Sequence, residues 1–372
     1  MWLGPSEGMG VQQLMAALSA QSIDVDVAKD MTAFLETVAE VPQAILLNAR
    51  VPNATDLCLS VLTHAHFSSV PIIWIVEDLD DLVFAEAFGV GGDDVARVHY
   101  VDGIVRRLLA LPKLNFDESV PSRGVALLGE ADDQRRMVLA RLLRNGGFDV
   151  SFSSDVTELE ERLRSDEPSL VVADVDLPGG GALSAFERWR ALGGQAPWIM
   201  ATPPKKLKDI SQAVSSAHGA WVWDSFAPPE NVLYAANEAM RGSFSEQRAS
   251  PRLLFGTTVA FRIAGRERDD YGFLYNISGE GLFVRTLAPF GSGEEAWLEF
   301  KPPRTARLVR LEANVVWRKA YGRVSEATVP PGFGARITGG SRNDLRRYRD
   351  GYRALAEQIA GIRFSASPSS AP

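Results

Sequence analysis

Through the first two thirds of the chain, short apolar runs alternate with longer stretches that carry apolar residues at helical spacing. Met1–Leu3, Ile23–Val27, Ala44–Leu47, Pro71–Val76 and Asp94–Val98 read as strands, with Val11–Leu18, Met31–Val38, Ala54–Thr63 and Leu79–Phe88 as helices between them. Strands separated by helices predict a parallel sheet with crossover helices. The plan then repeats. Val125–Leu128, Val150–Phe152, Leu170–Ala173, Trp198–Thr202 and Trp221–Trp223 are the strands of the second copy. Its helices are Arg135–Arg144, Thr157–Arg164, Leu183–Leu192, Ile210–Ala217 and Glu230–Met240. From about residue 245 the chain becomes strand-rich, and Arg342–Ile359 reads as a charged terminal helix.

These patterns divide the chain into residues 1–113, 123–241 and 245–360, with a tail over 364–372 whose Ser, Ala and Pro content predicts disorder. Leu114–Ser122 and Gly242–Ala249 lack periodicity and read as linkers. The third strand of each copy closes in the same way, Asn48-Ala-Arg-Val-Pro52 in the first and Asp174-Val-Asp-Leu-Pro178 in the second. Two tandem domains of one kind follow.

The chemistry concentrates at the start of the third region. Arg248 and Arg252 are four apart, and Asn276-Ile-Ser278-Gly-Glu-Gly281 follows as a polar turn between two apolar strands. Guanidinium groups clamp phosphate oxygens or guanine edges and stack on base faces. Asn276 and Ser278 lie at alternate positions, so an extended backbone turns both to one side, and the glycines let a ligand come close. At these residues the region resembles the PilZ domain, a small β-barrel that binds cyclic di-GMP through an RxxxR arm and a [D/N]xSxxG motif. Arg248, Arg252, Asn276, Ser278 and Gly281 occupy all five motif positions. Val259–Arg262, Leu311–Arg318 and Gly332–Ile337 fit its strands, and the resemblance covers about 245–355.

The strand endings at Asn48 and Asp174 resemble response-regulator receiver domains, which implies doubly wound, flavodoxin-like five-stranded sheets with a site at the carboxyl ends of the strands. Phosphoryl acceptance there requires Mg²⁺ on paired acids, a lysine and a hydroxyl. In the first copy Asn48, Val76 and Val98 stand at the acceptor, hydroxyl and lysine positions, so it is expected to be chemically silent. The second keeps Asp174 and Thr202, with Glu130 and Ala131 where paired acids belong and Asp224 in place of the lysine. Asp174 is the candidate phosphoacceptor, in a site where Asp224 adds repulsion.

Composition narrows the reading further. At 46% hydrophobic and 23% charged the chain has the makeup of an ordinary soluble protein. It lacks a signal peptide or an apolar run of membrane-spanning length, so a cytoplasmic location is expected. The net charge of -8 is unevenly spread. From Arg241 onward there are 21 Lys/Arg against 13 Asp/Glu, which by subtraction leaves 18 against 34 before it. A basic third region suits an anionic ligand. The single Cys58 excludes an intrachain disulfide, and His64 and His66 lack the neighbours of a metal site. No catalytic set and no cofactor is expected.

The combined expectation is a multidomain, non-enzymatic cyclic di-GMP effector, its two degenerate receiver-like domains contacting a protein partner, with no DNA partner. The PilZ resemblance implies outputs in motility, polarity, pili or exopolysaccharide, with recruitment to a cell pole or envelope complex. A response regulator phosphorylated at Asp174 and a ligand-free PilZ scaffold remain alternatives. The short connection from Met240 to Arg248 further predicts that ligand binding reorients the basic barrel against the acidic receiver-like pair.

Overall fold

The computed structural model describes residues 1–372 apart from 39, 65, 113–121, 216, 218, 242–250, 289, 323–328 and 366–372, with backbone alone at 241 and 359–365. The first fold runs β1 (Trp2–Leu3), α1 (Met9–Ala20), β2 (Val27–Ala28), α2 (Met31–Thr37), β3 (Ile45–Asn48), α3 (Ala54–Thr63), β4 (Ile72–Val76), α4 (Asp81–Gly89), β5 (Asp94–Arg97) and α5 (Val101–Ala110). Its strands are parallel in the order β2-β1-β3-β4-β5. Every residue of β3 and β4 is buried, as helices on both faces require. Asp30 and Asp80 start α2 and α4 by accepting the amides of Ala33 and Val83, each at 2.9 Å.

The second strand begins only at Val27, where the parallel register with β1 starts opposite Trp2. Helix α5 is absent from the pattern-based set, although Val101, Ile104, Val105 and Leu108 keep helical spacing and pack in the core, and Arg107 beside them is itself buried.

The second fold repeats the first: β6 (Val125–Gly129), α6 (Asp133–Asn145), β7 (Asp149–Ser153), α7 (Val156–Ser165), β8 (Leu170–Asp174), α8 (Ala182–Ala191), β9 (Trp198–Thr202), α9 (Leu207–Val214), β10 (Ala220–Asp224) and α10 (Asn231–Arg241). The order β10-β9-β8-β6-β7 is the same winding. Asp132 and Asp155 cap α6 and α7 through the amides of Arg135 at 2.7 Å and Glu158 at 2.9 Å.

The third fold is antiparallel: β11 (Leu253–Leu254), β12 (Thr258–Ile263), β13 (Asp270–Ile277), β14 (Gly281–Arg285), β15 (Glu295–Phe300), β16 (Val309–Lys319), β17 (Gly332–Gly340), then α11 (Arg342–Ser365). Strands β13-β12-β15-β16-β17-β14 close on themselves because β14 pairs again with β13, while β11 extends the β12 edge of β13. Alternate residues point into this six-stranded barrel, Val259, Phe261 and Ile263 on β12 and Ala296, Leu298 and Phe300 on β15. The tail expected over 364–372 lies largely outside the described residues, and the backbone of α11 continues to Ser365.

The first fold and the barrel belong to one compact unit, and the second fold forms the other. The first fold shares a buried interface with the barrel. At its centre Arg107, 1% exposed, donates from Nε to Asp94 at 2.8 Å and from Nη1 to Asp270 at 2.8 Å. Its Nη2 reaches Tyr271 O at 2.9 Å and Thr286 Oγ1 at 3.3 Å, and that hydroxyl passes its proton to Asp94 at 3.0 Å. Burial alone would lower the guanidinium pKa, but Asp270 and Asp94 outweigh it and hold the value above its ordinary range. Around the charges, Phe273 packs on Phe84 and Phe88, with centroids 5.4 and 5.9 Å away. Arg285 lies 3.4 Å over the Phe88 ring and donates to Gly92 O at 2.7 Å.

Breaking a buried pair on one side strands the other charge, at a cost of about 3–5 kcal/mol. Arg107→Ala and Asp270→Ala are each expected to lose that much in urea unfolding, and the double variant less than the two losses added. Full additivity would show that the two groups do not act as a pair.

Candidate functional site

The polar turn is built by its own serine. Ser278 Oγ accepts the Gly281 amide at 3.1 Å, and Ser278 N donates to Gly281 O at 2.8 Å. A side chain at 281 is excluded, since a Cβ there would sit 2.5 Å from Ala335 O on the neighbouring β17. Asn276, 5% exposed, lies where the β13–β14 register shifts. Strand β11 pairs Leu254 with Asn276, which sets Arg252 beside the turn.

Arg252, Asn276, Ser278 and Gly281 line one cavity of about 370 Å³. Arg248 lies outside the described residues. Glu280, Phe283, Trp317 and Arg336 also line it and are absent from the sequence-based set. Phe283 and Trp317 stack with centroids 5.0 Å apart. Trp317 stands opposite Gly334 across the β16–β17 ladder, where a Cβ would come within 2.3 Å of its indole nitrogen. That glycine-against-tryptophan pair and the alternation Gly334, Arg336 were the available signals. Cationic fork and flat aromatic pair together suit a ligand combining anionic groups with planar rings.

At the strand ends of the second fold, Asp174 accepts the Asp176 amide at 2.7 Å. Arg135 joins Glu130 at 3.2 Å and approaches Asp174 at 3.9 Å. Burial pushes the Glu130 carboxyl above its usual range, opposed by the Asp132 amide and Arg135. Thr202 donates its hydroxyl to Met200 O at 3.0 Å, and Asp224 accepts the Phe226 amide at 2.9 Å. The cation beside Asp174 is thus an arginine from α6, which the sequence comparison with receivers did not single out. In the first fold Asn48 ties Pro5 O (2.8 Å) to the Arg50 amide (3.1 Å). Among the described residues there is no cluster of three or more His, Cys, Asp or Glu suited to a metal, and no helix long and apolar enough to cross a membrane.

Residues 246–351 match the PilZ domain family, so the chain carries a PilZ domain behind two receiver-like α/β folds. The swarming motility regulation protein RssB of Serratia marcescens is 30% identical over 122 residues, 32% of this chain and 56% of that protein. The chain thus spans little more than half the length of this relative. Among solved structures, the Bacillus subtilis inhibitor of motility MotI/DgrA is 18% identical, with 32% of this chain and 54% of that chain covered at a TM-score of 0.26. The receiver domain of NtrX from Brucella abortus is 15% identical, covering 32% and 99% at a TM-score of 0.29.

Because the space at Gly281 is closed by backbone, Gly281→Ala is expected to lower stability by about 1–3 kcal/mol. A melting temperature equal to that of the unaltered protein would contradict the tight β14–β17 approach.

Proposed function

We propose that the chain is a non-enzymatic cyclic di-GMP effector. The observation that carries this reading is the convergence of Arg252, Asn276, Ser278 and Gly281, residues of two separate motif halves, on one cavity walled by Trp317. Cyclic di-GMP combines two phosphates with two guanine rings, and the arginines and aromatic pair answer to both. Arg248, on the same arm, supplies the second guanidinium. Similarity to a swarming regulator supports motility as the process controlled.

The receiver-like folds act through protein contact. Since the β5 and α5 side of the first copy is taken by the barrel, the partner-binding role falls to the second. Phosphorylation at Asp174 is the weaker reading, because Asp224 holds the lysine position and Arg135 already pairs with Glu130.

Calorimetric titration is expected to show cyclic di-GMP binding at micromolar concentration. Arg252→Ala and Arg248→Ala should each weaken it at least tenfold, the loss of charge-assisted hydrogen bonds worth roughly 1.5–3 kcal/mol. Absence of binding heat would refute the proposal. Asp174→Asn should leave the affinity unchanged, whereas labelling of Asp174 by a small phosphodonor would favour the response-regulator alternative.

A further inference from the structure

Helix α11 is not part of the cavity wall, yet it is fastened to both halves of the motif. Tyr348 Oη lies 2.6 Å from Ser278 O and 3.0 Å from Gly281 O, so its one proton is given to the turn. Tyr352 Oη donates at 2.8 Å to Pro251 O, the carbonyl immediately before Arg252. The two tyrosines are four residues apart and therefore share a helix face. Both are buried, at 1% and 8% exposure.

The helix that carries them is itself fixed in place. Ser341 caps it, accepting the Asp344 amide at 3.1 Å and donating to the Asp344 carboxylate at 2.8 Å. Gly351 backs onto Pro303, whose carbonyl a Cβ would meet at 2.8 Å. The Tyr348 ring stands edge-on to Phe300, centroids 6.1 Å apart. Burial also pushes the Tyr348 hydroxyl above the usual phenol range, so it is a proton donor at neutral pH.

We infer that α11 is a clip holding the arginine arm and the serine–glycine turn at a set separation, with Tyr352 and Tyr348 as positioning residues of the nucleotide site. Among the described residues, the two-residue pairing of β11 with β13 and the Phe255 amide donating to Tyr275 O at 3.3 Å also join the arm to the strand that leads into the turn. Two hydroxyls on one rigid helix turn fix the gap between them, and a clamp closing from both sides depends on that gap. The effect on affinity rests on the reading of the cavity as a cyclic di-GMP site, but the clip itself is measurable without ligand.

Tyr352→Phe and Tyr348→Phe keep the rings and remove only the protons. In the ligand-free full chain, hydrogen exchange should rise at Leu253–Phe255 in the first and at Ser278–Gly281 in the second, each leaving the other segment unchanged. Unchanged exchange, or a uniform rise across the barrel, overturns the clip. With cyclic di-GMP, each variant should weaken binding about fivefold, the worth of one ordinary hydrogen bond. Tyr352→Phe should have no further effect in an Arg252→Ala background. Equal losses in both backgrounds, or none in either, overturn the positioning role. If the unaltered protein does not bind cyclic di-GMP, the functional proposal fails and the positioning role with it, while the exchange measurements still decide the clip.

Discussion

A guanidinium sealed between two domains dominates the architecture of the larger unit. Arg107 gives up its water for Asp94, Asp270, a threonine hydroxyl and a backbone carbonyl. Desolvating a charge costs several kcal/mol, so such a group persists only where geometry is good and its donors are filled. Here the bonds come from both partners: Asp94 and Arg107 from the first fold, Asp270, Tyr271 and Thr286 from the barrel. Neither half could bury its charges alone. The first receiver-like fold is therefore a built-in support of the PilZ barrel, although the whole second fold intervenes in sequence.

The same strands that meet this support also carry the site. Strand β13 presents Asp270 and Phe273 to the first fold near its start and Asn276 to the cavity near its end. Strand β14 begins at Gly281 of the motif and finishes at Arg285 over Phe88. A ligand site built on paired strands of a closed barrel is held more precisely than one on free loops. Near Arg252 the chain is tied again, where Asp81 of α4 accepts the Thr258 amide at 2.6 Å.

The strand ends of the two wound sheets are occupied differently. In the first, Asn48 uses its amide to join two loops, a structural role that an acceptor carboxylate could fill only in part. In the second, Glu130, Arg135 and Asp174 keep a charged cluster, but the arginine answers to two carboxylates while Asp224 and Thr202 are engaged with backbone. Charges satisfied by one another have little capacity left for a phosphoryl group.

Periodicity by itself determined the two wound sheets and the strand-rich third region, because the apolar repeats of helix and strand are local properties. Five motif positions were legible for the same reason: residue type and spacing carry them within a few dozen positions. So were Asn48, Val76 and Val98 at the strand ends of the first copy. Tertiary structure alone decided the rest. Arg107 looks like a solvated charge on an indifferent helix until Asp270, 163 residues away, comes to meet it. Tyr348 and Tyr352 look like core aromatics until their hydroxyls find carbonyls 70 and 101 residues distant. Trp317 and Arg336 become cavity residues only when β16, β17 and β14 lie side by side. A buried polar group is stable only with its partner, and where the partner is remote in sequence no local pattern records it.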